Sequence, residues 1–573
     1  MYLDYINGII AIIFLGIISY LMLLKFNKIN YENNCVKFSC FDLLKNDYFW
    51  LILMILIYSI RMFRFGIYPA GTNQDGAMGG VDALALATYG TDRFGTHMPV
   101  HLYAWGYGQM SSFLSYMQVP FVKLFGLNNF SLRIPALIFS FLGLIAVYIL
   151  IDKIIGKRGA AIAGLLVAIN PWHFMQSRWA LDCNMFPHVF LIGLMFLYLG
   201  LYKKKYIYVS MVMFGLCMYT YGVSFYFVPL FLIAACVYLL TNKLITVKDV
   251  FISIIVYFLV SWPEYMVMII NFMKLETIEL PMFTMQFFPD SVRSNDILFF
   301  SKNGTGKQFQ QNVHSVIRII LMQNKDLPWN DIEGFGTIYK SSWPFLILGV
   351  IVSFVRGFSK KSVKDIKIKA GYVLLNMFFV FGIFLGLMIN GINVNRSNIV
   401  YYINIIMVGV GIEYICSNIK KSSLLIFASY GFLFILFVNT YFGSYKDEIN
   451  ACFYSDFMNA LNYAKEVNAD RYLITPDTQF DGAYQTTEIL TEYAFEMDAE
   501  YYQGITNRFM NVNIPYEDRF RFGNRNQGDD IDEDTMYIIK LRDDGIDELA
   551  DFSSYEYFVK NFGDKYAVAY KKK

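Results

Sequence analysis

The sequence predicts a polytopic, all-α membrane protein with a small α/β domain at its C-terminal end. Three observations predict it. Apolar residues make up 56% of the 573-residue chain and charged residues only 16%. Soluble domains carry about a quarter charged residues. Apolar runs that approach the ~20 residues of a bilayer crossing recur along most of the chain. Charge is also unevenly divided: residues 446–573 hold 26 acidic and 14 basic residues, and the remainder 20 and 34. An acidic tail on a basic membrane part excludes a nucleic-acid-binding tail.

Twelve spans are expected, at 9–24, 49–67, 134–151, 159–170, 187–202, 206–222, 224–240, 250–270, 343–356, 371–390, 398–416 and 423–442. The first follows a lysine-free start, MYLDYING. It has neither the basic region nor the small-residue cleavage site of a signal peptide and is read as a retained helix. Alternate connections collect the positive charge: Lys25 to Lys45, Lys153 to Arg158, Lys203 to Lys205, Lys243 and Lys248, Arg356 to Lys369, and Lys420 with Lys421. The positive-inside rule makes these cytoplasmic. Both termini and the long connections 68–133 and 271–342 then face outward, as does the tail. The expected organisation is an extra first span with its loop (1–48), a membrane part (49–442) and an external domain (443–573), in the cell membrane.

In the tail, FMNALNYAKEV has helical spacing, and RYLIT, TMYIIK, YEYFV and KYAVAY read as short strands. The seven cysteines, Cys35, Cys40, Cys183, Cys217, Cys236, Cys416 and Cys452, show no metal-site spacing and are read as unpaired thiols.

The first external connection opens with GTNQDGAMGGVDAL, so Asp75 stands at the mouth of the second span. Ala77, Val81, Leu84 and Thr88 share one helical face, and SSFLSYMQVPFVKLFG is apolar around most of its surface. Counting the second as a span would break the alternation of positive loops. Both are therefore expected to lie in the external interface. Asp82, about two turns beyond Asp75, is expected in water, and Asp92 is the other local carboxylate.

After Asp75 come YGTDRFGTHMPVHLYAWGYGQ, YMQVPFVKLFG and SLRIPAL, then AINPWHFMQSRWALDCN at 168–184, NDIEGFGTIYKSSWPFLILG at 330–349 and NVNRSNIVYYINI. This order resembles the GT-C membrane glycosyltransferases, in particular the protein O-mannosyltransferase and aminoarabinose-transferase branch (glycosyltransferase family 39-like). The resemblance runs over roughly residues 50 to 440. It implies transfer of a sugar from a polyprenyl-phosphate carrier to an external acceptor: protein, lipid or cell-wall glycan. It also implies that the carboxylate matching Asp75 is the base. The sequence departs from the frequent Asp-Glu pair, since Gly76 follows Asp75. The Lys-, Asn- and Ile-rich composition suits an AT-rich bacterium, for which undecaprenyl phosphate is the associated carrier.

Such chemistry needs a base for the acceptor hydroxyl and cations for the phosphate that leaves. Direct displacement with one base would invert the anomeric centre. Asp182 is the candidate second acid. Arg178 stands four residues before it, so the two can pair on one helical face or leave Arg178 near the phosphate. Arg133, at the external end of its span, is read as an interfacial anchor that, by the resemblance, also braces the first loop. Arg396, in an external turn, suits the donor phosphate. His97, His101 and His173 fall in the external stretches and are candidate substrate contacts. No cofactor is expected beyond a divalent cation that two of these histidines with a carboxylate would hold, although the ligand spacing is loose. KNGTGK at 302–307 lacks the full phosphate-loop pattern and is set aside. The alternative function is a lipid or glycan flippase. It would show ionisable residues at span midplanes and internal repeats; the sequence shows few buried charges and no repeat.

Overall fold

A computed structural model describes residues 2–26, 47–104, 108–288, 298, 304–359, 362–419, 422–475, 484–497, 519–524, 530–541, 549–553 and 556–571. The loop that holds Cys35 and Cys40 lies outside them. The membrane part opens with α1 (Tyr2–Phe26) and α2 (Asp47–Ser59). The first external connection holds α3 (Gln74–Tyr89), a hairpin of β1 (His101–Tyr103) and β2 (Gln109–Ser111), and α4 (Phe113–Phe125). Then follow α5 (Asn129–Ile154), α6 (Lys157–Ile169), α7 (Pro171–Gln176), α8 (Met185–Gly200), α9 (Lys205–Leu216), α10 (Ser224–Thr241) and α11 (Val247–Met273). The second long connection contains the short pair β3 (Ile278–Glu279) and β4 (Thr284–Met285) and α12 (Thr305–Val316). The last membrane helices are α13 (Trp343–Phe358), α14 (Ile366–Met388), α15 (Asn398–Asn418) and α16 (Ser422–Phe442).

Among the described residues nine helices are long and apolar enough to cross a bilayer, not the expected twelve. The three that fall short are α2, α6 and α9, of 13, 13 and 12 residues. At 1.5 Å per residue each covers about 20 Å of a core about 30 Å thick. Each stops for a local reason. After a 3-10 turn at Ile60–Met62, α2 gives way to Gly66 at φ +81°. Asn170 and Pro171 end α6 and start α7, with Asn170 as cap and Pro171 at the first helical position. α9 runs into a 3-10 turn at Cys217–Tyr219.

The expected outer face is assembled as one surface. Asn7 of α1 donates to the Gly334 carbonyl (2.8 Å), and Lys340 meets Asp4 (3.1 Å), so the first helix begins beside the second long connection. The Ala70 amide donates to the Asn450 side chain (2.8 Å), which brings the tail to the first. Pairs of the basic side, Arg158–Glu413 (2.7 Å) and Lys204–Asp249 (2.9 Å), are separate from these. Inside, α13 and α15 meet through Gly349 and Gly411. A Cβ on Gly349 would fall on the Met407 carbonyl and one on Gly411 on the Phe345 carbonyl, the close backbone approach that small residues permit in membrane bundles.

The tail begins with α17 (Lys446–Cys452) and α18 (Ser455–Val467). Its sheet has the order β6-β5-β7-β9-β8, from β5 (Arg471–Ile474), β6 (Phe520–Phe522), β7 (Thr535–Lys540), β8 (Tyr557–Phe562) and β9 (Tyr566–Lys571). The first three strands are parallel and the last two antiparallel, with Tyr472 opposite Met536 and Ile538 opposite Val568. The four expected strands are present; the short β6 was not foreseen. A further helix, α19 (Tyr484–Phe495), leaves the sheet and packs on α3.

That contact changes the reading of the first external connection. α4 keeps interfacial character, with Leu124 and Phe125 exposed. α3 does not: eleven of its sixteen residues are buried, because α4 and α19 cover it. Asp82 is likewise buried rather than solvated. Its carboxylate takes the Arg93 amide (3.1 Å) and guanidinium (2.6 Å), and Glu492 of α19 lies 3.9 Å from the same guanidinium. Asp92 accepts from the amides of Phe94 (3.0 Å) and Thr96 (2.8 Å) and faces Gln286 (3.5 Å). Burial, with Asp82 beside it, pushes the Asp92 carboxyl up to about 7.

Two predictions follow from this packing. Gly411→Leu should cost about 1–3 kcal/mol by overpacking, seen as a lower melting temperature or loss of monodisperse protein. Gly431→Leu should be neutral, since a Cβ there meets nothing within 4 Å. Folded Asp92 holds its proton more tightly than the unfolded residue, whose ordinary value is 3.8. Its contribution therefore weakens the fold as pH rises from about 4 to about 7, and is constant above that. Asp92→Asn keeps the acceptor for Phe94 and Thr96, so melting temperature plotted from pH 4 to 7 should fall less steeply than in the parent protein.

Candidate active site

The segment between α2 and α3 has little regular structure, and its carbonyls need donors. Two buried arginines supply them. Arg178 donates to the carbonyls of Arg61, Phe63 (3.0 Å) and Tyr68 (2.9 Å). Arg133, in the first turns of α5, donates to those of Pro69 (3.0 Å) and Gly71 (2.9 Å). Asn129 adds a second donor to Gly71 (2.8 Å). The chain then enters α3 through Asn73, whose side chain caps the Gly76 amide (2.8 Å). Asp75 is in the first turn of α3, half-buried. The helix dipole favours negative charge there.

Gly76 follows Asp75 for a steric reason. A Cβ at this position would come within 3.0 Å of the Asn73 side-chain oxygen and 3.2 Å of the Ala180 carbonyl. One side of this crowded space is the segment leading to Asp182. Asp182 opens a 3-10 turn before α8 and is mostly buried, and one carboxylate oxygen takes the Cys183 amide (2.6 Å). Asp75 and Asp182 both act electrostatically on the Cys183 thiol, so the two carboxylates stand around one residue. Asn398, at the start of α15, donates to the Cys183 carbonyl (3.3 Å) and is held by the Trp172 indole (2.8 Å). The Trp172 amide donates to the Thr337 carbonyl (3.2 Å). The motifs at 168–184, 330–349 and 393–405 thus converge behind Asp75.

The other expected residues divide. Arg133 does brace the first loop, but as a fully committed buried donor. Arg178 is not the partner of Asp182 along a helix, because α7 ends at Gln176 and the intervening residues are turn and extended chain. It is enclosed by rings, with Phe442 5.0 Å from the guanidinium, and is spent on backbone carbonyls, so phosphate is out of its reach. Arg396 is half-buried in the turn between α14 and α15 and donates to the Asn390 carbonyl (2.6 Å).

The histidines are apart. His97 is exposed. His101 is buried against Glu264 of α11 (3.1 Å). His173 lies inside the bundle, and no group of three or more His, Cys, Asp and Glu fit to hold a metal exists among the described residues. A divalent cation therefore has no cluster of protein ligands there.

Sequence reading missed the network around His173. Arg61, buried at the end of α2, donates to His173 Nδ1 (3.1 Å) and to Ser177 (3.1 Å). Since a guanidinium only donates, Nε2 of His173 carries the proton and faces the Tyr402 hydroxyl (2.9 Å). That hydroxyl reaches His188 Nδ1 (2.7 Å). The available signal was Arg61 itself, a charge late in an apolar run. Arg93 and Glu492 were also missed. They lie 399 residues apart in sequence, and no local pattern links them.

Over residues 111–266 the sequence matches the family described as dolichyl-phosphate-mannose-protein mannosyltransferase. No curated protein matches it. By structure the chain is similar to ArnT from Cupriavidus metallidurans bound to undecaprenyl phosphate, with a TM-score of 0.54 and 11% identity, covering 91% of this chain and 98% of that one. It is similar also to ArnT in the apo state, with a TM-score of 0.51 and 10% identity, covering 91% and 97%. The sequence match runs from the end of the β-hairpin into α11, and over nearly the whole chain the protein shares its fold with the ArnT structures.

Proposed function

We propose that this protein transfers a sugar from a polyprenyl-phosphate donor to an acceptor hydroxyl on the external face of the cell membrane, by a single inverting displacement. The observation that carries the reading is the position of Asp75: the first turn of α3, half-buried, within electrostatic range of the Cys183 thiol that adjoins Asp182, in a fold shared with a protein captured with undecaprenyl phosphate. Asp75 takes the acceptor proton as the acceptor oxygen attacks the anomeric carbon. The bond from that carbon to the phosphate oxygen breaks, and polyprenyl phosphate leaves with the electron pair. Asp182 orients the reacting hydroxyl or a sugar hydroxyl. Arg396 neutralises the phosphate. Among Arg133, Arg178 and Arg396, it is the one whose side chain is not enclosed by protein.

A flippase would use ionisable groups exposed along a path through the bundle. Arg61, Arg133 and Arg178 lie in the apolar part, but each is bound to backbone or side-chain partners and fully enclosed. They build the loop rather than line a passage.

The test uses purified protein in lipid nanodiscs, radiolabelled polyprenyl-phosphate hexoses and pentoses, and a cell-envelope acceptor extract. Asp75→Asn should lower kcat by about a hundred- to ten-thousand-fold, the usual contribution of a positioned base, with donor binding retained. Full transfer by that variant would refute the mechanism. Arg396→Gln should raise the donor KM by about tenfold or more, the loss of one charge-assisted hydrogen bond of about 1.5–3 kcal/mol, and leave α-helical content unchanged. An unchanged donor KM would remove Arg396 from the phosphate.

A further inference from the structure

The second long connection carries a helix that the proposed reaction does not use. α12 and the π-helical turn that continues it, Ile317–Leu321, hold Lys307, His314 and Arg318 and no acidic residue. Asn312 fastens α12 to the outer end of α14: it donates to the Leu387 carbonyl (2.9 Å) and to the Asn390 side chain (3.1 Å). Val316 and Ile320 close over Gly386, where a Cβ would come within 2.9 and 3.5 Å of them. α14 is long and apolar enough to cross the bilayer and ends at Met388, so these contacts put α12 at the membrane boundary.

Helical spacing sorts the rest of its surface. Lys307, Gln311, His314 and Arg318, at i, i+4, i+7 and i+11, form one polar stripe, and all four are exposed. Phe309 and Ile317, eight residues apart, are exposed on another flank, and Leu321 and Met322 are exposed where the helix ends. A cationic stripe beside exposed apolar side chains, at the depth where a span ends, is the pattern of a helix lying in the membrane interface.

The charge of the stripe is not neutralised within the protein. Neither Lys307 nor Arg318 makes an ion pair among the described residues. Arg318 acts electrostatically on Asp326, but that carboxylate holds the Val394 amide (2.7 Å). At the other end no side chain caps α12 at Gly304, so the first-turn amides add to the positive charge of Lys307. Lys307 and Arg318 stand about 16 Å apart along the helix, too far for one phosphate to meet both. A layer of anionic headgroups supplies a phosphate at each end. In a zwitterionic layer every phosphate already has its own cation.

We infer that α12 lies in the outer headgroup layer with Lys307 and Arg318 bound to the phosphates of anionic phospholipids. This contact is independent of the transferase reading. It also reaches the turn between α14 and α15, because Asn390, which accepts from Asn312, accepts from Arg396 through its carbonyl (2.6 Å).

The test reads α12 locally. Hydrogen exchange over residues 305–322, followed by mass spectrometry, is compared for the full chain in nanodiscs of phosphatidylcholine alone and with phosphatidylglycerol added. Exchange should slow by about fivefold or more with phosphatidylglycerol, the contribution of one basic residue at an anionic surface, and the gain should fade as salt is raised. Lys307→Gln/Arg318→Gln should lose the gain, and Lys307→Arg/Arg318→Lys should keep it. Both side chains are exposed, so in phosphatidylcholine alone both variants should exchange like the parent protein. Equal exchange of the parent in the two lipids, or a gain that survives Lys307→Gln/Arg318→Gln, would overturn the inference. Equal slowing by soluble glycerol phosphate in phosphatidylcholine discs would mark a site for free phosphate and overturn its lipid part.

Discussion

The site depends on two buried guanidinium groups holding five carbonyls. Irregular backbone at the edge of a bilayer is stable only where protein replaces the missing water. Arg178 and Arg133 do this for the stretch from Arg61 to Gly71. A guanidinium has five N–H donors in a fixed fork, so one side chain serves several carbonyls at once. An ammonium has one nitrogen and cannot span them. The rings around Arg178 complete its surroundings: Phe174, Tyr441 and Phe442 lie within 6 Å of the guanidinium. Asp75 hangs at the end of this held segment, and its position is therefore set by residues of α5 and of the chain after α7.

Which features the sequence showed follows from what hydropathy can register. Apolar length and loop charge gave the long helices and placed both long connections and the tail on one face, as Asn7, Lys340 and Asn450 bear out by their contacts. Alternating residues gave the strands of the tail. Hydropathy does not register where a helix stops inside an apolar run, so α2, α6 and α9 were counted as spans although Gly66, Pro171 and a 3-10 turn end them early. Nor does local spacing reveal that a cation is bound to carbonyls. Arg178 and Asp182 have the separation of a helical pair, but no helix joins them. Asp82 looked solvated because its partner Arg93 and its cover α19 come from elsewhere in the chain.

The acidic tail is part of the same construction. By charge it reads as a solvated domain, yet Glu492 is buried beside Arg93, and Arg93 is bound to Asp82 on the helix that carries Asp75 in its first turn. A buried cation between two carboxylates is costly unless every member is paired. The arrangement is therefore sensitive to the exact seating of α19 on α3. It gives the tail a direct mechanical connection to the helix that carries Asp75.

Gly76 shows why the two carboxylates come from different segments. In the family that the sequence resembles, the aspartate is frequently followed by glutamate. Here the carbonyl of Ala180 and the side chain of Asn73 crowd the position, and both would have to give by a few tenths of an ångström for any side chain at 76. The chain that closes this space is the one that leads to Asp182. That chain is itself anchored by Arg178, four residues before Asp182, through the carbonyls that precede Asp75. One clamp thus fixes both carboxylates relative to each other. A shift of the segment carrying one moves the clamp, and the clamp moves the other. The spacing between the two is therefore maintained as a unit, although 107 residues separate them in the sequence.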